Sequence, residues 1–138
     1  MYRNDALHDR ARVSHRNLIN ITAERICAAG GIPKSNDLID LAVNLDNDFI
    51  FEMKSTTDDN IRSQIRKGVS QLYEYKYLQN KPDANLVLVV ERPLNVATQW
   101  MHEYLEVDRD ILLLWDGDNR LFGSERAIET LPFLNLSQ

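Results

Sequence analysis

The sequence predicts an α/β fold in which a mixed sheet of about four to five strands is flanked by helices. Three observations predict it. An amphipathic helical pattern opens the chain, strand-like and helical stretches alternate through its middle, and the runs Leu86–Val90 and Ile111–Trp115 are unbroken apolar segments of the kind a sheet buries on both faces. With 138 residues, 43% of them hydrophobic and 27% charged, the chain can fill one core in one domain. No repeat, low-complexity tract or internal linker divides it.

The elements follow in order. From about Asp5 to Ala29, the residues Leu18, Ile19, Thr22, Ala23, Ile26 and Cys27 gather on one helical face; Gly30-Gly31 stops the helix and Pro33 prevents its resumption. Cys27 is the lone cysteine, so no intrachain disulfide can form, and its place in the apolar pattern predicts a buried, inert thiol. Leu38–Leu45 and Phe49–Lys54 read as two antiparallel strands around the turn Asp46-Asn47-Asp48. A second helix begins near Asp58-Asp59, whose carboxylates suit a helix N-terminus, and runs to about Gln79 before Lys81-Pro82 breaks it. Asn85–Glu91 is a buried strand ended by Pro93, Val96–Leu105 is helical and Ile111–Asp116 is another apolar strand. Gly117-Asp118-Asn119 turns the chain into a short strand at Arg120–Phe122. Trp100 and Trp115 fit core positions.

The chemistry concentrates in the hairpin. Alternation along a strand puts Glu52 and Lys54 on one face and Phe51 and Met53 on the other. A hairpin centred on Asn47 sets Asp40 opposite Lys54, so that two carboxylates and an ammonium converge. Charges inside an apolar hairpin need partners or a metal. Phosphodiester hydrolysis supplies a reason for all three: oxygen ligands on Asp40 and Glu52 suit Mg²⁺, and a lysine beside them can orient water or stabilise developing charge. Glu-x-Lys alone is a weak motif, and its ordinary reading is an incidental pair on a surface strand. The second helix adds to it. Gln64, Gly68, Gln71 and Tyr75 recur at helical spacing, at about 100° per residue, and form one stripe beside the apolar positions Ile61, Ile65, Val69 and Leu72. That stripe lies at the border between core and cleft. Gly68 would allow close backbone approach, Gln71 and Tyr75 are candidates for the site, and Gln64 reads as solvated.

Asp40, Glu52-Met53-Lys54 and Gln71-Leu-Tyr-Glu-Tyr75, in this order and on these elements, resemble the PD-(D/E)XK nuclease superfamily, particularly its members with a Gln-x-x-x-Tyr motif. The resemblance spans roughly Leu18 to Trp115. It implies a restriction endonuclease-like core and divalent metal, Mg²⁺ with Mn²⁺ as a substitute, held by Asp40, Glu52 and the Met53 carbonyl. It also implies that Lys54 assists the nucleophilic water and that Gln71 and Tyr75 support the site. No proline precedes Asp40; Asp37 is a rival for the upstream acid, and Glu24 is the candidate for a further glutamate carried by the first helix.

Basic residues cluster at Arg3, Arg10, Arg12, His15 and Arg16 and again at Arg62, Arg66, Lys67 and Lys76. Flanking a cleft, Arg16, Arg62, Arg66 and Lys67 would contact nucleic-acid phosphates without reading sequence. A net charge of −5 argues against a general nucleic-acid coat protein. His8, His15 and His102 lack zinc-ligand spacing, and neither a glycine-rich phosphate loop nor a Ser/His/Asp arrangement occurs. No apolar run is long enough for a bilayer, so the expectation is a cytoplasmic protein. The function expected is hydrolysis of DNA phosphodiesters, with a homodimer or a partner subunit supplying selectivity. A catalytically inactive module that binds nucleic acid or assembles a complex is the alternative, and a protein-interaction domain the third.

Overall fold

The structure, a computed structural model, describes residues 2–138, with side chains from Asp5 onward, so Met1 and the side chain of Arg3 lie outside the described residues. Helix α1 spans Tyr2–Ala28. It ends in a Schellman arrangement: Gly30 has φ +87°, its amide bonds the Cys27 carbonyl, and the Gly31 amide bonds the Ile26 carbonyl. The strands are β1 (Leu41–Asn44), β2 (Asp48–Lys54), β3 (Asn85–Val90), β4 (Ile111–Asp116) and β5 (Leu121–Gly123). The remaining α-helices are α2 (Ile61–Leu78), the short α3 (Trp100–Glu103) and α4 (Glu125–Thr130).

The five strands form one mixed sheet in sequence order. The hairpin β1–β2 and the pair β4–β5 are antiparallel, while β2, β3 and β4 run parallel. The expected α/β fold with a mixed sheet is therefore present. Parallel neighbours require crossovers, and α2 and the Val96–Asp108 helical stretch supply them. Both lie on one face, where Ile50, Leu86, Leu88, Val90, Ile111 and Leu113 pack against Ile61, Ile65, Leu72, Met101 and Leu105. The alternate residues Phe49, Phe51, Met53, Val87, Val89, Leu112 and Leu114 point the other way, against Leu18 and Ile26 of α1 and against Ala127, Leu131 and Leu134. That is why β3 and β4 are continuously apolar: neither has a wet face.

Several boundaries differ from expectation. β1 starts at Leu41 rather than Leu38, because the Asn36 side chain takes the amides of Leu38 and Ile39 out of any ladder. α2 starts at Ile61, after a turn in which Thr57 and Asn60 exchange hydrogen bonds, so Asp58 and Asp59 precede the helix. The helix expected over Val96–Leu105 is a 3₁₀ turn at Val96–Thr98, then α3, then a π-turn at Tyr104–Asp108. Cys27 is exposed, not buried, since the stripe that meets the sheet is Leu18, Thr22 and Ile26. Trp100 is likewise not core: it is 50% exposed, with the Arg62 guanidinium 5.4 Å above its ring. Trp115 is partly buried and stacks on Phe122. No helix among the described residues is long and apolar enough to cross a membrane.

Candidate active site

The hairpin register is two residues from the one expected. Leu41 pairs with Phe51 and Ala42 with Ile50, so continuing the ladder sets Asp40 across from Glu52 rather than Lys54. A shift of two keeps every side chain on its face, whereas a shift of one would have reversed them all. The three groups accordingly still meet. Lys54 Nζ lies 3.3 Å from Glu52 Oε2, the Met53 amide donates to Asp40 Oδ2 at 2.9 Å, and Glu52 is close enough to Asp40 to feel its charge. The N–H and C=O of one strand residue point the same way, so the Met53 carbonyl faces the side of β2 on which Asp40 sits. Its side chain is buried in the opposite core.

A fourth group joins them from α1. His15 Nε2 lies 3.0 Å from Asp40 Oδ2, and since an ionised carboxylate only accepts, the imidazole donates through that nitrogen. The sequence groups His15 with the basic residues of the first helix; in the structure it bonds a carboxylate. The signal was present in the sequence, because His15 stands three residues before Leu18 and continues the buried Leu18–Thr22–Ile26 stripe.

The electrostatics are uneven. Glu52 is 3% exposed, and burial together with the charge of Asp40 pushes its carboxyl up to about 7, against the pull of Lys54. Burial works to raise Asp40 as well, but the hydrogen bonds from His15 and Met53 outweigh it and hold that carboxyl below its ordinary value. The bond to Asp40 raises His15 against the opposing effect of burial. Tyr75 is buried, and desolvation with the charges of Glu52 and Asp40 raises its phenol. Gln71 is half-buried beside Tyr75. Two buried acceptors, Glu52 Oε1 and Gln71 Oε1, have no hydrogen-bond partner among the described residues.

Gln64, expected to be solvated, is half-buried and donates from Nε2 to the Ser55 carbonyl at 2.9 Å, tying α2 to the residue after Lys54. The same exit from β2 is held by Glu91, which accepts the Thr56 amide at 2.9 Å and pairs with Arg10. Arg10 is therefore engaged with Glu91 rather than free for phosphate. Gly68 does not reach the cleft. It is buried on β3, where a Cβ would stand 2.5 Å from Leu88 Cδ1.

A cleft of about 500 Å³ opens beside Lys54, lined by Arg12, His15, Arg16, Met53, Ser55 and Gln64. Of the four bases expected to contact phosphate, Arg16 is the one on the wall of this cleft. Arg62, Arg66 and Lys67 do not line it: all three are exposed, and Arg62 is stacked on Trp100. Asp37 and Glu24 are exposed and form no hydrogen bond or ion pair with Asp40, Glu52 or Lys54, so of the two candidate upstream acids Asp40 is the one that meets Glu52 and Lys54. Of Asp40, Glu52 and Lys54, only Lys54 lines the first cleft, and a second cleft of about 480 Å³, between Gly30–Asn36 and β1, contains none of the three.

Among the described residues no group of three or more His, Cys, Asp or Glu side chains could hold a metal ion. Two carboxylates and one carbonyl remain; Glu52 Oε1 has no hydrogen-bond partner among the described residues, and burial with the charge of Asp40 disfavours the ionised form of Glu52. That set fits Mg²⁺ or Mn²⁺, which keep much of their water. No protein-family model matches the sequence, and comparisons with curated proteins and solved structures give no match.

Proposed function

We propose that this chain is a divalent-metal-dependent nuclease of the PD-(D/E)XK kind that hydrolyses DNA phosphodiester bonds. The observation that carries the reading is the meeting of Asp40, Glu52 and Lys54 at the end of β2, with a buried Glu52 oxygen that no group among the described residues satisfies. An unpaired buried carboxylate oxygen is costly, and a cation removes the cost. When bound, Mg²⁺ or Mn²⁺ lowers the pKa of a coordinated water and neutralises phosphate charge.

The residues divide the remaining work. Asp40, Glu52 and the Met53 carbonyl would hold the ion. Lys54, anchored by Glu52, points its ammonium at the same spot, where it can orient a water and stabilise charge developing on phosphate. Gln64 and Glu91 fix the backbone that carries Lys54. Tyr75 lies near enough to both carboxylates for their charges to act on its phenol, with Gln71 beside it. Arg16 and Arg12 line the approach, where they contact phosphates and carry no sequence information.

The test is incubation with circular and linear DNA, single- and double-stranded, in Mg²⁺, Mn²⁺ or EDTA at stated ionic strength, beside Lys54→Ala. Cutting is expected with either metal and not in EDTA, and the variant should lose about a hundredfold or more of the rate. Binding without cutting would assign the chain to non-catalytic nucleic-acid modules. Neither binding nor cutting would leave a protein-interaction domain.

A further inference from the structure

We propose that His15 positions Asp40 as a metal ligand by locking one carboxylate oxygen so that the other is presented to the ion. The proposal rests on the reading of this site as a divalent-metal centre. Asp40 Oδ2 is engaged twice, by the Met53 amide at 2.9 Å and by His15 Nε2 at 3.0 Å, while Oδ1 receives no hydrogen bond among the described residues. The terminal torsion of an aspartate is soft, and a single donor leaves the carboxylate free to swing. Two donors from separate elements, β2 and α1, remove that freedom and leave Oδ1 as the open oxygen.

His15 is itself held. It is half-buried on α1, one turn before Leu18, and Leu18, Thr22 and Ile26 seat that helix against the sheet. A side chain supported by packed secondary structure keeps its geometry better than one on a loop. The neighbouring bases do not share the role: Arg12 pairs with Asp9 and Arg16 is exposed, so among the described basic side chains of α1 only His15 meets a carboxylate of the site. His15 touches Asp40 and not the reacting atoms, which makes it a positioning residue. Outer partners of this type are worth about ten- to a hundredfold in metal affinity.

The experiment measures Mn²⁺ binding without DNA, by calorimetry and by the paramagnetic resonance signal of free Mn²⁺, at one pH and one ionic strength. His15→Gln retains a donor at nearly the same reach, and His15→Leu removes it. Circular dichroism and thermal unfolding in EDTA verify that each variant is folded. The Leu variant should bind Mn²⁺ about ten- to a hundredfold more weakly than wild type, and the Gln variant within a few-fold of it. Equal affinity in wild type and the Leu variant would overturn the role of His15 while leaving the metal site standing. Should the Leu variant not fold, His15→Asn, whose amide stops short of Oδ2, takes its place, and undiminished affinity there overturns the proposal in the same way. If wild type binds no Mn²⁺, or binds it no better than Glu52→Gln, the proposal and the reading beneath it both fall.

Discussion

Glu52 has one carboxylate oxygen beside Lys54 and the other without a hydrogen-bond partner among the described residues, in a setting that favours its neutral form. Linkage turns this into a statement about stability. A carboxyl raised from its ordinary 4.5 to about 7 contributes stability that is full below the lower value and lost as pH climbs through the higher one. His15, also raised, acts in the same direction above its ordinary 6.5, whereas Asp40, lowered, acts only on acidification below its ordinary range. In EDTA the protein should therefore lose stability between pH 5 and 8, by on the order of 2 to 3 kcal/mol from Glu52. Thermal unfolding across that interval checks this, with Glu52→Gln expected to flatten the slope. Mg²⁺ should restore stability at pH 8 in wild type and not in the variant, by preferential binding to the folded chain. A wild-type midpoint that is level or rises with pH would refute the assignment.

At the scale of elements, the approach of α2 to the sheet decides how near Tyr75 and Gln71 come to the carboxylates. Gly68 permits it, because its missing side chain is where Leu88 packs. Alanine is the better helix former by about 1 kcal/mol, so an exposed glycine replaced here would stabilise. At this position overpacking against a fully buried leucine, at about 1 to 3 kcal/mol, opposes that gain and should exceed it. Gly68→Ala is expected to lower the denaturation midpoint, and Leu88→Val to cost less in that background than alone. A double-mutant cycle reads the coupling. Additive effects would mean that α2 is not seated on Leu88.

For the whole molecule, the closing segment is part of the core rather than an appendage. Leu131 and Leu134 are fully buried among the residues of the α1 face, Arg25 bonds the Leu134 carbonyl at 2.9 Å, and Phe133 meets Phe49 edge-on. Ser137 exchanges backbone bonds with Leu121 and Gly123 at the sheet edge. Leu134→Ala should then cost about 2 to 5 kcal/mol, seen as a lower urea midpoint at unchanged slope, despite lying four residues from the last residue of the sequence. A loss below about 1 kcal/mol would mean that the segment merely rests on the surface.

Residue order alone determined the α/β class, the strand cores and the face shared by Glu52 and Lys54, because strand alternation and apolar periodicity are local properties. Asp40 was legible too, since either hairpin register with the right parity keeps it on that face. Tertiary structure decided what depends on elements meeting. His15 and Gln64 look like surface polar residues until α1 and α2 dock beside the end of β2, and Gly68 looks like part of a cleft until Leu88 fills its place. Cys27 and Trp100 carry apolar side chains whose burial depends on which stripe of a helix, and which flank of α2, the rest of the chain covers.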